Sequence, residues 1–159
     1  MKSRIIVQLI IYLFGIILGI LIMVEFSADL LIREEKSKFG FEETVTTFEN
    51  AVVEAGWVIP AVHDLQASMA KFGTEVRKVK VFAICYPEHA SKILSGSDER
   101  IVSSMMPCRV SIYEKEDGAV YFSLVNARRM SAGMERNVRK VMKAAYEDME
   151  VIISGIIEE

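Results

Sequence analysis

Residues Ile5 to Val24 read IIVQLIIYLFGIILGILIMV, 20 consecutive positions without a charge. Wound into a helix, they would extend about 30 Å, the thickness of a bilayer's hydrocarbon core. Fifteen of them are Ile, Leu, Val or Phe, and such residues together favour membrane insertion by roughly 5 to 9 kcal/mol. Gln8, Tyr12 and two glycines do not offset that. A cleaved signal peptide is the competing reading, but its apolar region usually has about 7 to 15 residues and ends in a small-x-small site. Here Ala28 has Phe26 two positions before it. The sequence therefore predicts an uncleaved transmembrane anchor over residues 1–25, with the lipid bilayer as its partner. Lys2, Arg4 and the amino terminus flank one side, while Glu25, Asp29, Glu34 and Glu35 accompany Arg33 and Lys36 on the other. The positive-inside bias then keeps the amino terminus cytoplasmic and places the rest of the chain in an extracytoplasmic position. Gly15 and Gly19 form a G-x-x-x-G pair, which bares one helix face for close packing with a second copy. Glycine is also simply common in membrane helices.

The remaining 134 residues have ordinary globular composition and the size of one domain, large enough to fold without a disulfide or a metal. They carry 17 basic against 21 acidic residues. Nucleic acid is thereby excluded as a partner, since a phosphate-binding surface needs clustered positive charge. The Arg77 to Lys80 and Arg128-Arg129 stretches are too short for one and read as solvated edges.

Hydrophobic spacing divides this part into elements. Residues 26–38 read as an amphipathic stalk continuing the membrane helix, ended by Phe39-Gly40-Phe41. Glu42 to Ala55 places Val45, Phe48, Val52 and Ala55 on one helical stripe and stops at Gly56. Trp57 to Val62 suits an edge strand because of Pro60. Asp64 caps a short helix closed by Gly73. Val79 to Cys85 alternates as a strand, and Pro87 opens a helix over about Glu88 to Leu94. A strand from Cys108 and another over Ala119 to Val125 flank the hairpin signal Asp117-Gly118. A long helix, about Gly133 to Ile157, buries Met134, Val138, Val141, Met142, Ala145, Met149, Ile152, Ile153 and Ile156. The expected fold class is α+β: a two-layer domain with helices packed on a small, partly antiparallel sheet, preceded by one transmembrane helix.

Several of these segments recur together in a known family: Phe41-Glu42-Glu43-Thr44, Gly56-Trp57, His63-Asp64-Leu65 with Phe72-Gly73, Ala83-Ile84-Cys85-Tyr86-Pro87 with Ala90, and Met106-Pro107-Cys108 with the Tyr113 to Gly118 hairpin. In order and spacing they resemble the domain of unknown function 302 family, and the likeness assigns residues 39–159 to such a domain. Two positions depart from the family pattern. Tyr86 stands where Cys-Asn-Pro is usual, and Asn126-Ala127-Arg128-Arg129 lacks a proline. The resemblance implies a small α+β domain that tends to self-associate, hence a homodimer, and says little about activity.

Candidate chemistry centres on two cysteines and two histidines. Cys85, His89, Cys108 and His63 offer the thiolate and imidazole groups that zinc, copper or haem iron select. Cys85 also precedes a helix amino terminus, which favours thiolate. Against this, both cysteines fall on apolar positions of their strands, where Cys behaves as a small buried hydrophobe. A disulfide between them is a third alternative, compatible with an extracytoplasmic setting. Beside His63, Asp64 reads as a helix cap rather than half of a catalytic dyad. The acidic clusters, including Glu147 to Glu150, read as solvated surfaces. No H-E-x-x-H, phosphate-loop, dinucleotide, nucleophile-elbow or C-x-x-C-H motif is present. The expectation is a membrane-tethered module that binds a small ligand or a protein and self-associates, with no catalytic residues and no cofactor. The alternative is a thiol redox or metal-handling protein using Cys85, Cys108 and His89, and a structural subunit of a membrane complex is a further one.

Overall fold

The computed structural model describes residues 2–158; within the first helix it describes the side chains at 4, 6–8, 10–21 and 31. That helix, α1 (Lys2–Leu31), leads without a spacer into strand β1 (Ile32–Lys36). The chain continues through α2 (Phe41–Glu54), β2 (Val58–Asp64), α3 (Leu65–Ala70), β3 (Val79–Cys85) and α4 (Pro87–Leu94). A 3₁₀ segment (Asp98–Met105), β4 (Cys108–Glu114), β5 (Val120–Val125), α5 (Ala127–Met130) and α6 (Arg136–Ser154) complete it.

All five strands form one sheet in the order β1-β5-β4-β3-β2, and every neighbouring pair is antiparallel. The expectation of a partly antiparallel sheet thus gives way to a fully antiparallel one. β2 takes the edge position that Pro60 requires, with its pairing register shifting between Val58 and Ala61. Asp64 caps α3 by accepting from the Ala67 amide at 2.8 Å. Gly56, with φ of +78°, ends α2 in the left-handed turn that glycine adopts without steric cost.

Residues 32–36 differ from the stalk expected over 26–38. Three of their five side chains point away from the helices, and four are charged, a pattern that suits an edge strand protected from further pairing as well as it suits a helix. Backbone bonds settle the choice: the Asn126 amide donates to the Leu31 carbonyl at 2.7 Å and the Ser37 amide to the Val120 carbonyl at 2.8 Å. β1 is therefore part of the domain. The side chains at 22–30, which include the first five positions of the predicted stalk, lie outside the described residues, as do those of Lys2, Ser3, Ile5 and Leu9.

Among the described residues no helix is long and apolar enough to cross a membrane. The longest unbroken run of described side chains in α1 is 10–21, about 18 Å against the ~30 Å of a hydrocarbon core. The structure does not establish the anchor expected over 1–25.

The core lies between one sheet face and helices α2 and α6. Phe48 of α2 is fully buried, and its ring meets Phe82 of β3 and Phe122 of β5 edge-on at centroid distances of 5.3 and 5.6 Å. Ile84, Ile112 and Ile153 close around them. Phe41 rather than the predicted Ala55 completes the buried stripe of α2, because that helix starts a residue early and Ala55 lies past its end. A smaller cluster of Ile93, Val102 and Val138 ties α4 and the 3₁₀ segment to α6. Phe48→Ala removes a ring wedged between two others and should lower the unfolding free energy by about 3–5 kcal/mol. Phe72→Ala, at a ring 80% exposed, should stay within about 0.5 kcal/mol. Denaturant midpoints of the two variants measure this directly.

Candidate functional site: a cavity beneath the last helix

Antiparallel pairing places Arg33, Leu124, Val110 and Phe82 in one row across four strands. Leu124, Val110 and Phe82 are buried in the core, so strand alternation turns Arg33 toward the helix layer as well. A guanidinium in that position needs partners, and α6 supplies them. Its Nη1 donates to the Tyr146 hydroxyl at 3.1 Å, Nη2 forms an ion pair with Glu150, and the group stacks on the Tyr146 ring at 5.4 Å. Tyr146 and Glu150 stand one helical turn apart, the spacing that lets both reach the same group. Burial opposes the Arg33 charge, but the bond to Glu150 and the negative charge beside it outweigh that, and its pKa is raised. Arg33 is thus a permanently charged, matched group with only 19% of its side chain exposed.

Beside this pair the layers do not close completely. Val110 and Leu124 of the sheet, Met142, Ala145 and Met149 of α6, and the ends formed by Met105 to Cys108 and Ala127 to Met130 surround a cavity of about 230 Å³. Ala145 is the smallest of the α6 side chains turned toward it, and the methionines are flexible enough to adapt to different contents. The walls are mainly apolar; Arg33, Tyr146 and Glu150 form one polar group in them, and Ser104 and Arg109 are the further polar members.

A smaller cleft of about 40 Å³ shares Trp57, Cys108 and Ala145 with the larger one and adds Cys85, Tyr86 and His89. Tyr86 stacks on Trp57 at 5.7 Å, and His89 meets the Tyr86 ring edge-on at 4.9 Å. His89 Nε2 lies 3.0 Å from Asp148 Oδ2. Since a carboxylate only accepts, the Nε2–H donates. Nδ1 is buried without a hydrogen-bond partner, so neither thiol is bonded to it.

The structure brings three of the four predicted ligand residues, Cys85, Cys108 and His89, to this one cleft, but not as a ligand set. Cys108 pairs with Ile84 across the sheet, so Cys85 follows with the opposite strand parity. Pro87 starts α4 after Cys85 has ended β3, and Cys85 and His89 do not share a helix face. Both thiols are free. His63 is exposed and opposite Val81, about 13 Å along the sheet from Cys85. Among the described residues no three His, Cys, Asp or Glu side chains form a metal-holding group. Gly15 and Gly19 lie in α1 with no atom within 4 Å of where a Cβ would stand.

Sequence reasoning missed the principal feature. Arg33 reads as a stalk charge until residues 32–36 are known to be a strand, and Glu150 reads as part of a solvated acidic face. The available signal was the spacing Met142, Tyr146, Met149, Glu150, which sets two polar groups among apolar ones on a single helix face.

An antiparallel sheet with helices on one face and a cavity beneath the last of them defines a two-layer α+β domain. The sequence matches the domain of unknown function DUF302 over residues 33–156, and the chain belongs to that family. An uncharacterized protein from Aquifex aeolicus (strain VF5) is 23% identical over 146 residues, 92% of this chain and 94% of its own length. The crystal structure of an uncharacterized conserved DUF302 protein from Bacillus stearothermophilus superposes with a TM-score of 0.70. That match spans 78% of this chain and 96% of the other at 13% identity, and it establishes the shared fold.

Burial, and after it the neighbouring Cys85, push the Cys108 thiol above its ordinary pKa. A raised thiol pKa leaves less thiolate at any given pH. Iodoacetamide should therefore alkylate Cys108 more slowly than a free peptide thiol, with a rate still climbing at pH values where the peptide has levelled off. Peptide mass spectrometry over a pH series measures it. A second expectation concerns the ion pair: Arg33→Met and Glu150→Gln should each cost about 1 kcal/mol, the modest value suited to a pair whose Glu150 side chain is 41% exposed. A double-mutant cycle should show the two losses to be coupled.

Proposed function

We propose that this protein is a membrane-tethered, extracytoplasmic binding module that holds a small ligand in the cavity beneath α6. The observation that carries the binding half is the cavity itself: about 230 Å³ of mainly apolar space that the domain's own core does not fill. An apolar hollow with a few grouped polar side chains is the usual form of a small-molecule site.

The tether is supported by the 20-residue uncharged run and by the exposure of α1. From Ile10 to Leu21 its large apolar side chains are between 47 and 72% exposed on every side of the helix. A soluble monomer rarely presents such a surface, and lipid covers it without further protein. The charge distribution about the run supports a cytoplasmic amino terminus and an extracytoplasmic domain. The bare strip over Gly15 and Gly19 offers a face for self-association through α1.

Binding ranks ahead of thiol or metal chemistry because Cys108 is held toward its protonated form and His89 is committed to Asp148.

Replacing Leu13 and Ile17 together with Arg in the full chain should cost about 5–8 kcal/mol of insertion free energy. After expression, wild-type chain should remain with membranes through alkaline carbonate extraction, and the double variant should be released. Equal release of both would show that α1 does not lie in the bilayer.

A further inference from the structure

Resting on that reading, we infer that the cavity takes the acyl chain of an anionic phospholipid supplied by the adjacent leaflet, its phosphate head lying against Arg128 and Arg129. The position of the cavity in the fold points to this source. α1 ends at Leu31, whose carbonyl accepts from the Asn126 amide, and the next residue, Ala127, is already part of the cavity wall. Arg33, two residues after Leu31, is part of the same wall. The site therefore opens at the end of the domain from which the membrane helix leaves.

That end also has the surface chemistry of a lipid-facing one. Ile32 and Val125, which are cross-strand partners, are both exposed there. Beside them Arg128 and Arg129 are exposed on α5. An apolar pair next to basic side chains matches the boundary between acyl chains and phosphate headgroups, where each Arg near an anionic surface contributes about 1 kcal/mol.

The interior fits the chain and not the head. Glu150 neutralises Arg33 inside the wall, and the other arginine of the lining, Arg109, is exposed, so the paired interior is left to an apolar chain. At about 30 Å³ per water-sized group, 230 Å³ holds roughly seven or eight such groups, the terminal half of a common acyl chain. The methionines lining it conform to a flexible chain better than rigid branched residues would.

The test is photo-crosslinking of the full chain reconstituted in phosphatidylcholine vesicles containing phosphatidylglycerol with a diazirine near the end of one acyl chain. Peptide mass spectrometry then locates the label. The expected result is label on peptides containing Met130 and Met142 as well as on α1, falling at least fivefold at the cavity peptides in Ala145→Met. Met130→Trp, at a half-buried position, repeats the filling test in case the first variant fails to fold, and thermal melts followed by circular dichroism identify that case. Arg128→Gln with Arg129→Gln should lower cavity labelling and leave α1 labelling unchanged.

Label on α1 alone would overturn the inference and leave the tether standing. Label on neither would overturn both. Cavity labelling unaffected by either folded filling variant would place the lipid outside the cavity and overturn the inference. So would equal cavity labelling when the diazirine phosphatidylglycerol is confined to separate, protein-free vesicles, because the lipid would then arrive through solution.

Discussion

A guanidinium on the inward face of an edge strand is a demanding constraint, and the architecture around β1 follows from it. Arg33 sits in a row otherwise made of buried apolar side chains. It can remain there only if a carboxylate and a hydrogen-bond acceptor come down to it from the opposite layer. Glu150 and Tyr146 do so from α6, which holds that helix over the β1 side of the sheet. Phe48 of α2, wedged against Phe82 of β3 and Phe122 of β5, fills the adjoining space. Between the polar anchor and the aromatic wedge, small or flexible side chains leave the hollow.

The hollow is stabilised by its surroundings. Apolar voids cost packing energy, so the elements around it must be secured elsewhere. The sheet continues past the cavity-bearing strands through β3 and β2, and Ser37 with Thr44, a buried hydroxyl pair 2.7 Å apart, ties the end of β1 to the start of α2. Trp57, Tyr86 and His89 stack as a separate aromatic group at the other side of Cys108. The half-buried Cys108 thiol lies between these two regions, and that burial pushes its pKa up.

Much of this was legible in the sequence. The 3.6-residue stripe of α2, the alternation of β3 and β5, Pro60 at an edge, Asp64 as a cap and Asp117-Gly118 as a hairpin each have a local physical cause, and local causes survive folding. β1 did not show itself because Ile-Arg-Glu-Glu-Lys has the charges of a solvated helix, and only pairing with β5 makes it a strand. The cavity was hidden for a related reason: Arg33 and Glu150 are 117 residues apart, and their partnership is a product of topology. For the thiols, sequence could place Cys85 and Cys108 near each other but not their opposite strand parity, which follows from the Ile84–Cys108 register.

The DUF302 domain follows α1 directly at Leu31, and the cavity wall at Ala127 adjoins that junction, so the proposed tether and the proposed site are coupled through it. The most direct measurement of that coupling is a native mass spectrum of the full chain released from lipid nanodiscs. The account predicts a chain that retains one phospholipid at activation energies that strip the surrounding lipid, and loses it when Ala145 is replaced by Met. A chain that emerges bare at every energy, or that retains lipid equally with the cavity filled, would contradict it.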